Sequence, residues 1–241
     1  MLDHAVATRL AATEYDRFVA ALRELAPADW TAPTACPDWD VRAMAAHVLG
    51  MAEMAASLVE QARQARAARR RGGLFIDALT ATQVDKHARR EPAEIVARLA
   101  AAGPRAARGR GRWPAAVRRL PIPGDQPVDE TGERHERWTI GYLLDVVATR
   151  DTWMHRMDLA AATGRPPTLT ADHDGVLVAD VVAEWAERHA QPYALTLTGP
   201  AGGSWSSGAA PEPMTLDAVD FCRILSGRGS GDGLLAERVP F

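Results

Sequence analysis

Asp151 and His155 stand four residues apart in the segment Thr149-Arg150-Asp151-Thr152-Trp153-Met154-His155, a spacing that puts both side chains on one face of a helix. The surrounding seam is otherwise apolar, with Ile140, Leu144, Val147, Met154, Leu159 and Ala162 recurring at helical spacing. Upstream, His47 shares a face with Met44, Val48 and Met51. Polar groups on a buried seam are costly unless they are paired or coordinated. A histidine from one helix and a carboxylate–histidine pair one turn apart on another match the ligands of a catalytic zinc site, which leaves a fourth position for water or substrate. Two plainer readings stand beside this one. Asp151 and His155 can form a charge-assisted pair on a helix face, and His47 can be a core histidine with its hydrogen bonds met.

Other residues carry weaker signals. Asp158, a turn beyond the pair, can act as an outer acceptor that orients an imidazole, or can make a helix-end contact. Cys36 has the chemistry of a nucleophile, but no basic partner adjoins it in sequence, and burial as a small apolar residue is the commoner fate. His135 and Glu136 fall in a polar loop and read as exposed. Arg228 follows Gly227 at the end of a short helix, where a guanidinium can reach into an interdomain cleft toward a carboxylate or bind the last helix carbonyls. Trp39 and Trp153 read as core.

The elements that must position these groups are mostly helices. Asp3 caps a first helix to about residue 25, with Val6, Leu10, Phe18 and Leu22 in register. Proline-rich chain follows, and Asp40 caps a second helix whose stripe of Val41, Met44, Val48, Met51, Ala55, Leu58 and Ala62 runs on to the stop at Gly72-Gly73. A third helical region covers about residues 74–102, interrupted at Glu91-Pro92, where proline suits a first turn. Residues 103–137 show no clear periodicity and read as a long loop, with 120–124 extended. A fourth helix covers about 138–162 and closes at Gly164. Four amphipathic helices with one long crossover fit a helix bundle. The tail reads as α+β: a helix over about 171–189, an alternating strand Tyr193–Thr198, a turn at Gly199-Pro200, a second strand near Trp205, and a short helix over 215–225. We therefore expect a mainly α chain, with a bundle domain at residues 1–165 and a small α+β domain at 166–241.

Composition bounds the function classes. The chain has 241 residues and two cysteines, Cys36 and Cys222, enough length for a substantial core and too few thiols for a disulfide framework. A net charge of −3 gives no general case for nucleic acid binding. No apolar run reaches the roughly 20 residues that span a bilayer, and Met-Leu-Asp-His lacks the basic and apolar regions of a targeting segment, so a cytoplasmic protein without membrane or nucleic acid partners is expected. The arginines cluster, at 63, 66, 69, 70 and 71 and at 105, 108, 110, 112, 118 and 119. These read as a solvated face or as an anion-attracting rim.

Three stretches resemble a known family. Cys36-Pro37-Asp38-Trp39-Asp40-Val41-Arg42 leading into Ala46-His47-Val48-Leu49-Gly50, then His155-Arg156-Met157-Asp158-Leu159-Ala160, and Phe221-Cys222-Arg223-Ile224-Leu225-Ser226-Gly227-Arg228 are similar to the mycothiol-dependent maleylpyruvate isomerases, members of the wider DinB-like group of four-helix bundles. The resemblance implies a DinB-like metal-binding bundle with a small C-terminal domain. It also implies a zinc triad of one histidine on the second helix and a Glu-x3-His pair on the fourth. His47 and His155 match the histidines, while Asp151 stands where glutamate is usual. The implied cosubstrate is mycothiol. The expectation is an enzyme in which a divalent metal, zinc by resemblance, activates a thiolate for isomerisation of, or S-transfer to, a small electrophile. Asp158 and Arg228 would assist, in a monomer or homodimer. A zinc hydrolase with Asp158 as base, and a binding protein without turnover, are the alternatives.

Overall fold

The computed structural model describes residues 2–124, 136–209 and 212–241, so the loop residue His135 lies outside the described residues. The chain divides into two compact units, Asp3–Pro166 and Pro167–Phe241. Among the described residues no helix is long and apolar enough to cross a membrane.

The first unit is helical. Helix α1 (His4–Arg23) begins where the Asp3 carboxylate accepts from the amides of Ala5 and Val6, meeting two of the four amides that a helix start leaves unpaired. A 3-10 turn, Pro27–Thr31, buries Trp30. Helix α2 (Val41–Ala56) is capped by Asp40, whose Oδ1 accepts from Ala43 at 2.8 Å. The apolar stripe continues past residue 56, but the helix does not. Ser57 is extended (φ −144°, ψ 122°) and its hydroxyl caps α3 (Leu58–Arg71). Its cap turns Leu58 and Val59 out to solvent. Helices α4 (Phe75–His87) and α5 (Pro92–Gly111) follow, the latter opening on Pro92.

Helix α5 corrects the expected loop. It continues from 103 to 111 through Pro104, because the glycines that read as breakers are close-approach points. A Cβ on Gly103 would meet Tyr15 Cβ at 2.8 Å, and one on Gly109 would meet the Ala55 carbonyl oxygen at 2.0 Å. A short α6 (Ala115–Arg118) and a two-stranded ribbon, β1 (Pro121–Pro123) against β2 (Arg137–Thr139), occupy more of the same stretch. The chain then re-enters helix as α7 (Ile140–Tyr142), a π-helical turn (Leu143–Val147) and α8 (Ala148–Thr163), ending at left-handed Gly164.

Helices α1, α2, α5 and α8 enclose one core, with Phe18, Leu22, Met44, Leu49, Ile95 and Leu99 among its fully buried members. Each such side chain contributes about 1.5–3 kcal/mol by leaving water. Helices α3 and α4 lie beside α2 on a smaller cluster of Ala68, Ala78 and Leu79.

The second unit holds a π-helical turn (Ala171–Gly175), α9 (Val176–His189), strands β3 (Tyr193–Thr198), β4 (Gly203–Ser207) and β5 (Pro213–Asp217), α10 (Ala218–Leu225) and a 3-10 turn (Gly233–Ala236). The strand order is β4-β3-β5, with β4 antiparallel and β5 parallel to β3. Residues 215–217, expected as helix, extend β5 because Thr215 and Leu216 pair with Thr196 and Leu197. Asp217 caps α10 instead. Trp185 is fully buried, its ring 5.4 Å from Phe221 and 5.1 Å from Tyr193.

A polar lattice fixes α2 against α3 and α4. Gln64 donates to the Gly50 carbonyl and accepts from Gln83, each at 3.0 Å. Lys86 bridges Glu53 and Glu60, and His87 Nε2 lies 3.1 Å from Glu53. Burial alone would raise the Glu53 carboxyl, but hydrogen bonds from His87 and Lys86 bring it from 4.5 down to about 2. Glu53→Gln should therefore cost about 1–3 kcal/mol at neutral pH. The folded pKa is the lower one, so this contribution is complete above pH 4.5 and is lost as pH falls toward about 2. Urea midpoints of parent and variant should converge through that window, and a constant gap would exclude Glu53 as the anchor.

Candidate metal centre

Helix α8 is buried around most of its circumference, from Thr149 through Leu159, with Asp151 at partial exposure. The π-helical turn ahead of it shifts the helical register. Asp145, Val146 and Val147 turn inward while Leu144 is only half buried. The phase of Asp151 relative to Ile140 and Leu144 is thus not that of a continuous α-helix.

His47, Asp151 and His155 converge. His47 sits mid-way along α2 with 2% of its surface exposed. Its Nε2 is 3.7 Å from Asp151 Oδ2, and His155 Nε2 is 3.4 Å from Asp151 Oδ1. The two imidazoles meet edge to face with centroids 5.2 Å apart, and one donor atom from each residue lies within 4.8 Å of the others. Asp151 Oδ2 and His47 Nδ1 are buried without a hydrogen-bond partner. An orphaned carboxylate oxygen facing an imidazole nitrogen too far away to bond is what a cation between them would satisfy. The donor set fits a borderline divalent ion.

The charge balance agrees. Burial would raise the Asp151 carboxyl, yet the His155 and His47 rings beside it hold it well below the usual range. Burial would favour neutral His155, yet Asp151, then Asp158 and Cys36, raise it well above the ordinary histidine value. In the absence of a metal, a proton on the imidazole neutralises the carboxylate.

Asp158 is fully buried, and its Oδ2 lies 3.3 Å from His155 Nδ1. Cys36, in the turn before α2, has its Sγ 3.9 Å from the same nitrogen and 3.8 Å from the Asp158 carboxylate. Sequence reasoning missed this basic partner because it comes from a helix more than a hundred residues away. Trp39 is not simply core. It is partly exposed, and its ring stands 5.1 Å from His47 and 6.2 Å from His155, whereas Trp153 is core as expected. Glu136 accepts from Trp138 Nε1 at 2.8 Å and is partly buried, not exposed.

Arg110 also departs from expectation. It is neither solvated nor part of a rim, being 3% exposed, with its guanidinium on the Tyr15 hydroxyl and over the Tyr15 ring at 5.2 Å. Arg118 pairs with Asp145, whereas Arg63, Arg66, Arg69, Arg70, Arg71, Arg105, Arg108, Arg112 and Arg119 are exposed as the solvated reading requires. Arg228 belongs to the second unit, where its amide donates to the Arg223 carbonyl at 2.8 Å just past the left-handed Gly227.

The sequence profile of the mycothiol maleylpyruvate isomerase N-terminal domain matches residues 11–160. The chain belongs to that family. Two solved structures share the fold, a mycothiol-dependent maleylpyruvate isomerase and a mutant form of one. TM-scores are 0.57 and 0.56, with 14% identity, over 95% of this chain and 91% of each of theirs. No curated protein matches by sequence.

The residue after His155 secures this geometry. Arg156 Nε donates to Glu14 Oε1 at 2.6 Å and its Nη2 to Oε2 at 3.1 Å, tying α8 to α1 with both groups buried. Arg156→Met should destabilise the protein by about 3–5 kcal/mol, because it removes the bidentate ion-pair partner of a buried carboxylate. Glu14→Gln with Arg156→Met should recover part of the loss in thermal melts.

Proposed function

We propose that the chain is a metal-dependent isomerase that uses a low-molecular-weight thiol to act on a small electrophilic substrate. The observation that carries this reading is the convergence of His47, Asp151 and His155 in one buried seam, with a carboxylate oxygen among them that has no hydrogen bond. Two imidazoles and a carboxylate are a common ligand set for catalytic zinc, so zinc is our assignment. The thiol and the substrate class follow from the relatives, which are described as mycothiol-dependent maleylpyruvate isomerases.

A cation held by these three residues would supply Lewis acidity that deprotonates a coordinating thiol at neutral pH. The protein's own groups do the rest. Asp158, accepting from Nδ1–H, fixes the tautomer that turns His155 Nε2 toward Asp151. Trp39 lies against both rings and limits water on that side. The cosubstrate thiolate adds to an activated double bond, forming C–S. The π pair moves onto the conjugated carbonyl oxygen, the remaining single bond rotates, the pair returns as C–S breaks, and the thiolate leaves with the other geometric isomer. For Arg228 we propose recognition of a substrate carboxylate, from the fit of a guanidinium to that group. Arg228→Gln should then raise KM more than it lowers kcat.

Hydrolysis is disfavoured by the position of Asp158. As the expected base it should face the open side, but it binds the opposite edge of the His155 ring. Zinc-loaded protein supplied with maleylpyruvate and mycothiol should isomerise the substrate, and omitting either metal or thiol should abolish turnover. His155→Ala and Asp151→Asn should lose the metal and at least about 100-fold in kcat/KM, beyond the loss of an outer partner, while Asp151→Glu retains both. Turnover without thiol, or full activity in metal-free protein, would overturn the proposal. A stable thioether product would redirect it to S-transfer.

A further inference from the structure

In the proposed function only the Nε2 edge of the His155 ring faces the catalytic cation, and Asp158 meets the Nδ1 edge. We propose that Cys36, His155 Nδ1 and Asp158 form a second cation site on the other edge, selective for thiophilic divalent ions. This goes beyond the functional reading: the two sets share the His155 ring through opposite nitrogens, and a cation in the second set replaces the Nδ1 proton that Asp158 otherwise accepts.

The three donor atoms are spaced as a coordination polyhedron would space them. Nδ1 to Asp158 Oδ2 is 3.3 Å, Sγ to Nδ1 is 3.9 Å and Sγ to Oδ2 is 3.8 Å. Tetrahedral zinc with ordinary bond lengths has N–O edges of roughly 3.4 Å and sulfur edges of roughly 3.6 Å. Both sulfur separations are near the outer limit for a hydrogen bond to sulfur, and they close to bonding edges with a shift of a few tenths of an ångström. Asp158 and His155 are buried on α8, while Cys36 is only partly buried, so the cysteine side of the set is the one nearer solvent.

Cys36 is held in place by its own turn. Its amide donates to Thr34 Oγ1 at 3.1 Å, the Thr34 amide donates to the Trp39 carbonyl at 3.0 Å, and the Trp39 amide returns to the Cys36 carbonyl at 3.2 Å. The donors therefore come from two rigid elements, as a binding site needs. A thiolate with an imidazole nitrogen and a carboxylate favours zinc, cobalt or cadmium over magnesium or calcium. On binding, the cation takes the place of the Cys36 thiol proton and the His155 Nδ1 proton, both of which pass to water.

Cobalt titration of the metal-free full-length chain tests this. Sulfur-to-cobalt charge transfer should appear in the near ultraviolet and saturate at one equivalent for that site. The band should vanish in Cys36→Ser and Asp158→Asn, and persist in Cys222→Ser. It should also persist in His47→Ala, which removes only the first set and so separates failure of this proposal from failure of the functional reading. Cadmium affinity at the thiolate site should fall in Cys36→Ser by more than about 100-fold, exceeding the roughly 10–100-fold that loss of an outer hydrogen-bond partner produces. Absence of the charge-transfer band, or its survival in Cys36→Ser, would overturn the site and leave Cys36 and Asp158 as hydrogen-bond partners of the ring.

Discussion

Helix α8 carries Arg150, Asp151, His155, Arg156 and Asp158, and all but Asp151 are buried to less than a tenth exposed. A helix that is wet on one side can leave such groups to water. This one cannot, so each charge needs a partner within the protein. Glu14 on α1 answers Arg156, His47 on α2 faces Asp151, and Asp158 answers His155 from within α8. Neighbouring Thr149 receives Arg110 from α5 at 3.4 Å. Charge matching thus ties α8 to α1, α2 and α5 alongside the shared apolar core.

The same constraint produces the chemistry. Asp151 is kept ionised by two imidazoles, and His155 is kept cationic by two carboxylates. Charge in the seam is balanced only while a positive species sits among these groups. A proton on His155 fills that role, and the divalent cation we propose would also reach the carboxylate oxygen that no hydrogen bond serves. Under that proposal metal and proton would compete for one site, and the polarity of the seam would count as ligand preorganisation.

Much of this was legible in sequence where local physics is strong. Asp3 and Asp40 announced helix starts, Gly164 announced an end, and the four-residue spacing of Asp151 and His155 placed both on one face. What stayed hidden depended on neighbours distant in sequence. Gly103 and Gly109 looked like breakers because the side chains that need their missing Cβ atoms, Tyr15 and the Ala55 carbonyl region, lie on other helices. Ser57 ended a helix whose hydrophobic stripe ran on, since a capping hydroxyl competes with helix continuation. Arg110 sat in a run of exposed arginines, and only the Tyr15 hydroxyl distinguishes it. Cys36 looked isolated because its partners are on α8. The π-helical turn left no sequence mark, and it decided that Asp145, not Leu144, faces inward.

Asp151 is the point where this chain departs from the family pattern, in which a glutamate precedes the histidine by four residues. A carboxylate one methylene shorter would fail if the helices kept a wider spacing. Here it reaches both imidazoles, at 3.4 and 3.7 Å, from the first turn of α8 immediately after the π-helical turn. An aspartate also has one fewer rotatable bond to immobilise, so less side-chain entropy is lost when the site orders. As the metal ligand we propose, the shorter side chain would make the site depend more heavily on helix placement, and hence on Arg156–Glu14 and on the π-helical turn, than a glutamate would.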